Sequence, residues 1–255
     1  MPKTRLDQKL VDLNFYRSRS RARDAVLRGS VTVNGVAAMR PSQMVANEDN
    51  FEVRDAAIEY VSRAALKLEA GLEAAGYDPD GKVALDIGAS TGGFSQILLE
   101  RGASHIFAVD VGHDQMDARI SSDPRVTNLE GINARNLTIT TLGPEAKVGI
   151  GCVVCDVSFI SLKLALPPAL ALVEPDGWGI FLVKPQFELG REHLGKGGIV
   201  RDREMLEQCS NDMACWLDMQ DGWRNTHLLP SPIEGSGGNQ EFLLCGMKDA
   251  NRKPE

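Results

Sequence analysis

The chain has 255 residues, 43% of them hydrophobic and 25% charged, a composition that excludes wholesale disorder and fits a soluble globular protein. Its formal charge of −7 argues, as an average, against a nucleic-acid partner. The average conceals two unlike parts, because residues 1–47 hold nine Lys/Arg against three Asp/Glu, a local +6 that leaves −13 on the remainder.

In the basic head, RLDQKLVDL places Leu6, Leu10 and Leu13 on one helical stripe with charges on the other faces. Ser20 is placed to cap a second helix, RARDAVLRG, that stops at Gly29. VTVNGVAA then predicts two short strands around Asn34-Gly35, a dipeptide suited to a type I′ hairpin. A further strand is expected near Phe51 and Val53. Into this order are set Arg5, Arg17, Arg19, Arg21, Arg23 and Arg28, whose guanidinium forks suit phosphate oxygens and anchor without reading sequence. A solvated helix face is the alternative use of such a charge run.

From Tyr60 the texture changes. The strand-like runs VALDIG, HIFAVDV, VTNLEG, CVVCDVSF and GIFLVKP alternate with helical stretches, the pattern of an α/β fold with a parallel sheet wrapped by helices. A helix is expected over SRAALKLEAGLEAA, capped by Ser62, with Arg63 one turn before Lys67 on the same face. The first strand runs into LDIGASTGGFSQILLE, so Gly88, Gly92 and Gly93 fall in a strand-to-helix turn where a ligand can approach the main chain. No G-K-[ST] follows, which excludes a P-loop, and the G-x-x-x-G-G spacing departs from the dinucleotide fingerprint. Asp86 at the strand end suits an amino group better than a pyrophosphate, and Asp110, closing the second strand, is placed to accept ribose hydroxyls. Together they favour S-adenosylmethionine over NAD, with Gly88, Ala89, Ser90, Gly92, Gly93, Phe94, Asp86, Asp110, Val111 and Asn133 as candidate cofactor contacts. Cys152 and Cys155 form a C-x-x-C inside a strand with no second ligand pair nearby, which reads as buried core; no metal site is expected.

Asp156 and Lys184 follow later strands, where side chains line the ligand crevice of such a sheet. Lys67 lies on the early helix and Glu241 starts a late strand beside a Gly-rich turn. Each has an ordinary alternative: a solvated lysine, a strand-edge charge, a strand-end cap. Lys184, ending an apolar strand, needs an anionic partner, which Asp156 is placed to supply. GREHLGKGGIVRDR, with Gly190, Arg191, Gly195, Lys196 and Gly197, reads equally as a loop that closes over substrate or as a surface loop. The last residues, 248–255, read as a polar tail.

The head, through Arg5-Leu6-Asp7, the Ser18-to-Arg28 stretch, Gly29 and Val31 to Gly35, resembles the small RNA-binding domain first described in ribosomal protein S-four. The body resembles the FtsJ-like RNA 2′-O-methyltransferases, and the whole chain resembles the TlyA family of rRNA methyltransferases, also known as hemolysins. The strings that carry this are YVSRAALKLEAGL, LDIGASTGGFSQILLERGA, VDVG, CDVSFISL, LVKPQFELG, KGGIVRD and SPIEGSGGNQEF. The resemblance implies a Rossmann-like class I methyltransferase sheet over residues 60–247 behind a small α+β RNA-binding domain over 1–59. It implies S-adenosylmethionine as cofactor and 2′-O-methylation of a cytidine ribose in 16S rRNA, 23S rRNA or both, with rRNA or a ribosomal subunit as partner. It places a catalytic Lys-Asp-Lys-Glu group on Lys67, Asp156, Lys184 and Glu241. In those roles Lys184 holds the 2′-oxygen and either accepts its proton or stabilises developing alkoxide, while Asp156 and Glu241 orient the two lysines. One departure is Ala64-Ala65, where TlyA-like chains commonly carry Gly-Gly, which bears on how that helix starts.

Two other classes remain open at the level of sequence. One is a non-catalytic RNA-binding ribosome-assembly factor; the other is the membrane-lytic activity that the hemolysin name suggests. No apolar run approaches the roughly 18 residues of a membrane span. The stretch MPKTRLDQKLVDLNFYRSRSR lacks the apolar core of a secretory signal, and five cysteines suit a reducing compartment. The expected location is cytoplasmic, with no membrane partner.

Overall fold

The computed structural model describes residues 3–195, 197–249 and Arg252, in two compact units, Met1–Glu59 and Tyr60–Glu255. The first contains β1 (Thr4–Arg5), α1 (Leu6–Asp12), α2 (Arg19–Leu27), β2 (Val31–Val33), β3 (Val36–Ala37), β4 (Met44–Val45) and β5 (Phe51–Val53). Leu6 and Leu10 are buried with Tyr16, Ala22, Val26 and Val31, whereas Leu13, expected on the same stripe, follows the last helical residue and is exposed. Ser18, not Ser20, caps α2 by accepting from the Arg21 amide. The helix starts earlier than the apolar pattern indicates, because Ser18 has the extended backbone that a cap requires. Asn34 (φ 53°) and Gly35 (φ 78°) both sit in the left-handed region, as a type I′ turn demands, and join β2 to β3 while β5 pairs with the other edge of β2.

The second unit contains α3 (Ala65–Ala75), β6 (Val83–Ile87), α4 (Gly93–Glu100), β7 (His105–Val109), α5 (Ala118–Ser121), β8 (Val126–Leu129), α6 (Ile139–Leu142), β9 (Ile150–Cys155), α7 (Leu162–Ala165), α8 (Pro167–Leu172), β10 (Val173–Val183), α9 (Pro185–Glu188), α10 (Arg203–Asp218), β11 (Trp223–Pro230) and β12 (Phe242–Lys248). The sheet order is β8-β7-β6-β9-β10-β12-β11. The first five strands are parallel, and β12 runs antiparallel to both of its neighbours.

Both faces of the parallel strands are covered, so they read as near-continuous apolar runs. Alternate residues go to opposite cores: Leu85, Phe107, Val153, Cys155 and Phe181 face α8 and α10 through Leu170, Met213 and Leu217. Ala84, Ile106, Cys152, Val154 and Ile180 face α3 and α4 through Leu68, Leu72, Ile97 and Leu98. Cys152 and Cys155 are therefore split between the two cores, and burial pushes the Cys152 thiol up to about 12.

α3 begins at Ala65 rather than at a cap on Ser62, whose hydroxyl instead accepts from the Ala64 amide in the preceding turn. Ala64 lies at φ −55°, ψ −30°, a conformation alanine adopts without strain, so the Ala-Ala departure is accommodated. Lys248, expected in the polar tail, is the last residue of β12, and its Nζ donates to the carbonyls of Leu170, Ala171 and Val173. Asp249 N–H donates to Gly222 O and Arg252 pairs with Asp218, while the rest of that tail, and Lys196, lie outside the described residues.

Candidate active site

The strand order reverses between β7 and β9 on either side of β6, and a crevice opens at such a switch point beyond the carboxyl ends of the strands. The loop from β6 to α4 must pass close to the end of β9. A Cβ on Gly88 would stand 2.9 Å from the Asp156 carbonyl oxygen, and Gly88 has φ +81°; only glycine fits there unstrained. At the other end of the loop a Cβ on Gly93 would meet Ser62 Cβ at 2.8 Å, so the missing side chain lets α4 seat against the turn that leads into α3.

Two clefts meet at this loop. One, of about 540 Å³, is lined mainly by apolar groups, among them Val109, Val111, Ile132 and Ala134, with Asp110 and Asn133 as polar members. Asp110 stands at the end of β7 and accepts from the backbone N–H groups of Ser90 (2.8 Å) and Gly112 (2.7 Å). Its carboxylate thus ties the glycine loop to the next strand-end loop and keeps lone pairs for further donors. Asn133 Oδ1 accepts from the Arg135 amide, leaving its Nδ2 to donate.

The second cleft, of about 220 Å³, is polar and brings Lys67, Asp156, Lys184 and Glu241 together with Arg63, Ala89, Gly93, Phe94 and Ser158. Gly88, Ser90, Asp156 and Ser158 line both clefts. Asp86 and Gly92 line neither. Asp86 is wholly buried, its Oδ2 accepting from Ser95 Oγ at 2.7 Å while its Oδ1 has no hydrogen-bond partner among the described residues. Burial pushes its carboxyl up to about 7, against the lowering effect of the Ser95 hydrogen bond.

The four charged residues are arranged as two ion pairs. Lys67 Nζ donates to Glu241 Oε2 at 2.6 Å, with both side chains almost fully buried. Lys184 Nζ lies 2.6 Å from Asp156 Oδ1 and donates to Ser158 Oγ at 2.8 Å. Topology makes this possible. Asp156 and Lys184 end adjacent parallel strands, and the antiparallel register that pairs Val183 with Phe242 brings Glu241 opposite Lys184. Lys67, which in isolation reads as a solvated helix lysine, is buried because α3 lies against β10 and β12.

Several site features have no clear mark in the sequence. Phe159 is 90% exposed and has φ 67°, a combination that costs free energy for a bulky residue; it lines the apolar cleft, with its ring 5.2 Å from that of Phe187. Glu188 accepts from Ser161 Oγ (2.5 Å) and the Leu162 amide (2.7 Å), tying the segment after Lys184 to the loop after Asp156. Asn239, close to Glu241 in sequence, holds the Gly198 carbonyl and the Val200 amide, which attaches part of the 190–203 segment to the stretch that leads into β12. That segment lines neither cleft among the described residues.

In the head the arginines divide. Arg5 makes a bidentate pair with the buried Asp7, which also accepts from Arg19. The Arg5 hydrogen bonds hold the Asp7 carboxyl down at about 2. Arg5, Arg19 and Arg23 line one shallow groove, and Arg17 is exposed. Arg28 instead makes an internal pair with the buried Asp55, which also accepts from Tyr16, and Arg21 donates to the Ala57 carbonyl.

The model of the FtsJ-like methyltransferases matches residues 60–248, and that of the S4 domain matches residues 4–50. The chain belongs to the FtsJ-like methyltransferase family. Its relatives include the 16S/23S rRNA (cytidine-2′-O)-methyltransferase TlyA of Mycobacterium tuberculosis, 39% identical over 95% of this chain and 89% of that one. Hemolysin A of Brachyspira hyodysenteriae is 37% identical over 94% of this chain and 98% of its own. Among solved structures, a hemolysin-named protein from Streptococcus thermophilus is similar with a TM-score of 0.74 and 34% identity, covering 100% of this chain and 92% of that one. The hemolysin name has no counterpart in a spanning helix: among the described residues no helix is long and apolar enough to cross a membrane.

Proposed function

We propose that this methyltransferase uses S-adenosylmethionine to methylate the ribose 2′-hydroxyl of a cytidine in 16S rRNA, 23S rRNA or both, in the cytoplasm, with a ribosomal subunit or its rRNA as partner. The observation that carries the reading is the pair of close Lys–carboxylate contacts, one of them almost fully buried, in one polar cleft that shares a wall with an apolar, nucleoside-sized one. The substrate class is that of relatives named as rRNA cytidine-2′-O-methyltransferases.

The apolar cleft fits the cofactor. Asp110 keeps acceptor capacity for ribose hydroxyls, Asn133 Nδ2 is a donor for an adenine ring nitrogen, and Val109, Ile132 and Ala134 supply apolar walls. When bound, S-adenosylmethionine supplies the sulfonium methyl group that is transferred. The residues of the chain do the rest. Lys184 Nζ donates to the 2′-oxygen and stabilises the negative charge that develops there, while the hydroxyl proton is lost to solvent as the oxygen–methyl bond forms. Asp156, which lines both clefts, pairs with Lys184, and Glu241 pairs with Lys67 in the same polar cleft. Because the hydroxyl must lie in line with the methyl group, positioning dominates the acceleration. Phe159 offers an exposed ring face at the cleft on which a base taken out of its helix can stack. In the head, Arg5, Arg19 and Arg23 share a groove suited to backbone phosphate.

The test is transfer of tritiated methyl from S-adenosylmethionine to ribosomal subunits that lack the modification, followed by mapping of ribose methylation. Lys184→Ala is expected to bind the cofactor normally and transfer no methyl group; near-normal turnover in that variant refutes the assignment.

A further inference from the structure

Lys184 is held by two contacts of different kinds. Its Nζ lies 2.6 Å from Asp156 Oδ1, yet that oxygen lacks hydrogen-bond geometry toward any donor among the described residues, so the pair fixes charge without fixing direction. The oriented contact is the 2.8 Å hydrogen bond to Ser158 Oγ. A lysine head group carries three donors on a freely rotating end, and each restrained donor narrows where the remaining ones point. Ser158 is suited to that task. It lines both clefts, at the boundary where a hydroxyl must meet a methyl group. Its own position is set from behind, because three residues further on the loop is clamped when Ser161 Oγ and the Leu162 amide donate to Glu188, which follows Lys184 on the neighbouring strand end. The loop and the lysine thus close a ring: Lys184 on Ser158, Ser161 on Glu188, and Glu188 back to Lys184 through α9.

We propose that Ser158 is a positioning residue for methyl transfer, aiming Lys184 Nζ at the reacting 2′-oxygen. The inference rests on the methyl-transfer reading above and adds to it a specific hydroxyl. Ser158 accepts from Lys184 and keeps its own O–H free to point into the cleft. The serine is exposed, so its replacement removes no packed core.

The test compares Ser158→Thr, which keeps the hydroxyl, with Ser158→Val, which has nearly the same shape as threonine without it. Each is assayed in the full chain for tritiated-methyl transfer to unmodified ribosomal subunits and for S-adenosylmethionine binding by calorimetry. Loss of a hydrogen bond to a charged group predicts a fall in kcat on the order of 10- to 100-fold for Ser158→Val. Ser158→Thr is expected to stay close to the unsubstituted protein, with KM for RNA and cofactor affinity unchanged in both variants. Equal turnover of the Val and Thr variants overturns the proposal, as does a loss that appears in KM or in cofactor affinity instead of kcat. Absence of transfer by the unsubstituted protein overturns the methyl-transfer reading itself, and this inference with it.

Discussion

Asp86 gives the body a stability that depends on pH in an unusual direction. Its carboxyl is wholly buried behind the glycine loop and titrates at about 7 instead of the ordinary 3.8, chiefly because burial disfavours the charged form. A carboxyl raised in the folded state contributes its full stability below the unfolded value of 3.8 and loses it as pH rises toward 7. Over those three pH units the loss amounts to about 4 kcal/mol, and between pH 5 and pH 8 to about 3 kcal/mol. Asp86→Asn removes the titration while keeping the shape and an acceptor for Ser95. Any fixed cost of burying the new amide donor is the same at both pH values and cancels. Urea unfolding followed by tryptophan fluorescence is a suitable assay, since all three tryptophans, at 178, 216 and 223, lie in the body. The stability difference between variant and parent is expected to move by about 3 kcal/mol in favour of the variant from pH 5 to pH 8. A difference that stays constant to within about 0.5 kcal/mol refutes the reasoning.

Three further outcomes follow from the geometry. Lys67→Met leaves Glu241 buried without its cation and is expected to cost about 3–5 kcal/mol in denaturant unfolding; adding Glu241→Leu should recover much of that loss while leaving the protein inactive. Gly88→Ala must place a Cβ 2.9 Å from the Asp156 carbonyl oxygen at φ +81°. It should destabilise by at least about 1 kcal/mol and weaken S-adenosylmethionine binding in calorimetry. Arg19→Ala combined with Arg23→Ala should weaken RNA binding and flatten its dependence on log salt concentration by roughly 0.7–0.9 for each phosphate no longer neutralised; an unchanged slope places the RNA elsewhere.

The central strands are legible because each is buried on both faces and so carries an unbroken apolar run, as in VALDI and IGCVVC. The Asn34-Gly35 hairpin is legible because its backbone angles demand those residues. β11, WRNTHLLP, is not. It is an edge strand with one polar side, and its composition is that of a loop. β1 and β4 are two residues each, too short for any periodicity. At the site, the strand-end position of Asp156 and Lys184 points to the crevice, and the lone lysine closing an apolar strand points to its anion. The burial of Lys67 is hidden, because it depends on a strand 174 residues away. Ser158 and Glu188 carry only weak signals, polar residues a few positions beyond strand ends, and their partners are set by the adjacency of β9 and β10. The arginines of the head look alike in sequence; the structure separates those in the groove from Arg28, which the buried Asp55, 27 residues downstream, draws inward.

The placement of β12 between β10 and β11 also makes one closure of the sheet long-range. β11 and β12 are consecutive in the chain and pair with each other, but β12 must also reach β10, from which α10 and β11 separate it in sequence. Long-range closure of this kind is slow, because the loop entropy is lost before the contacts form. Glu241 immediately precedes that strand, so the Lys67–Glu241 pair is made only where α3 and the start of β12 come together. On the proposed assignment, methyl transfer therefore requires the antiparallel edge of the sheet as well as the parallel strands whose ends line the apolar cleft.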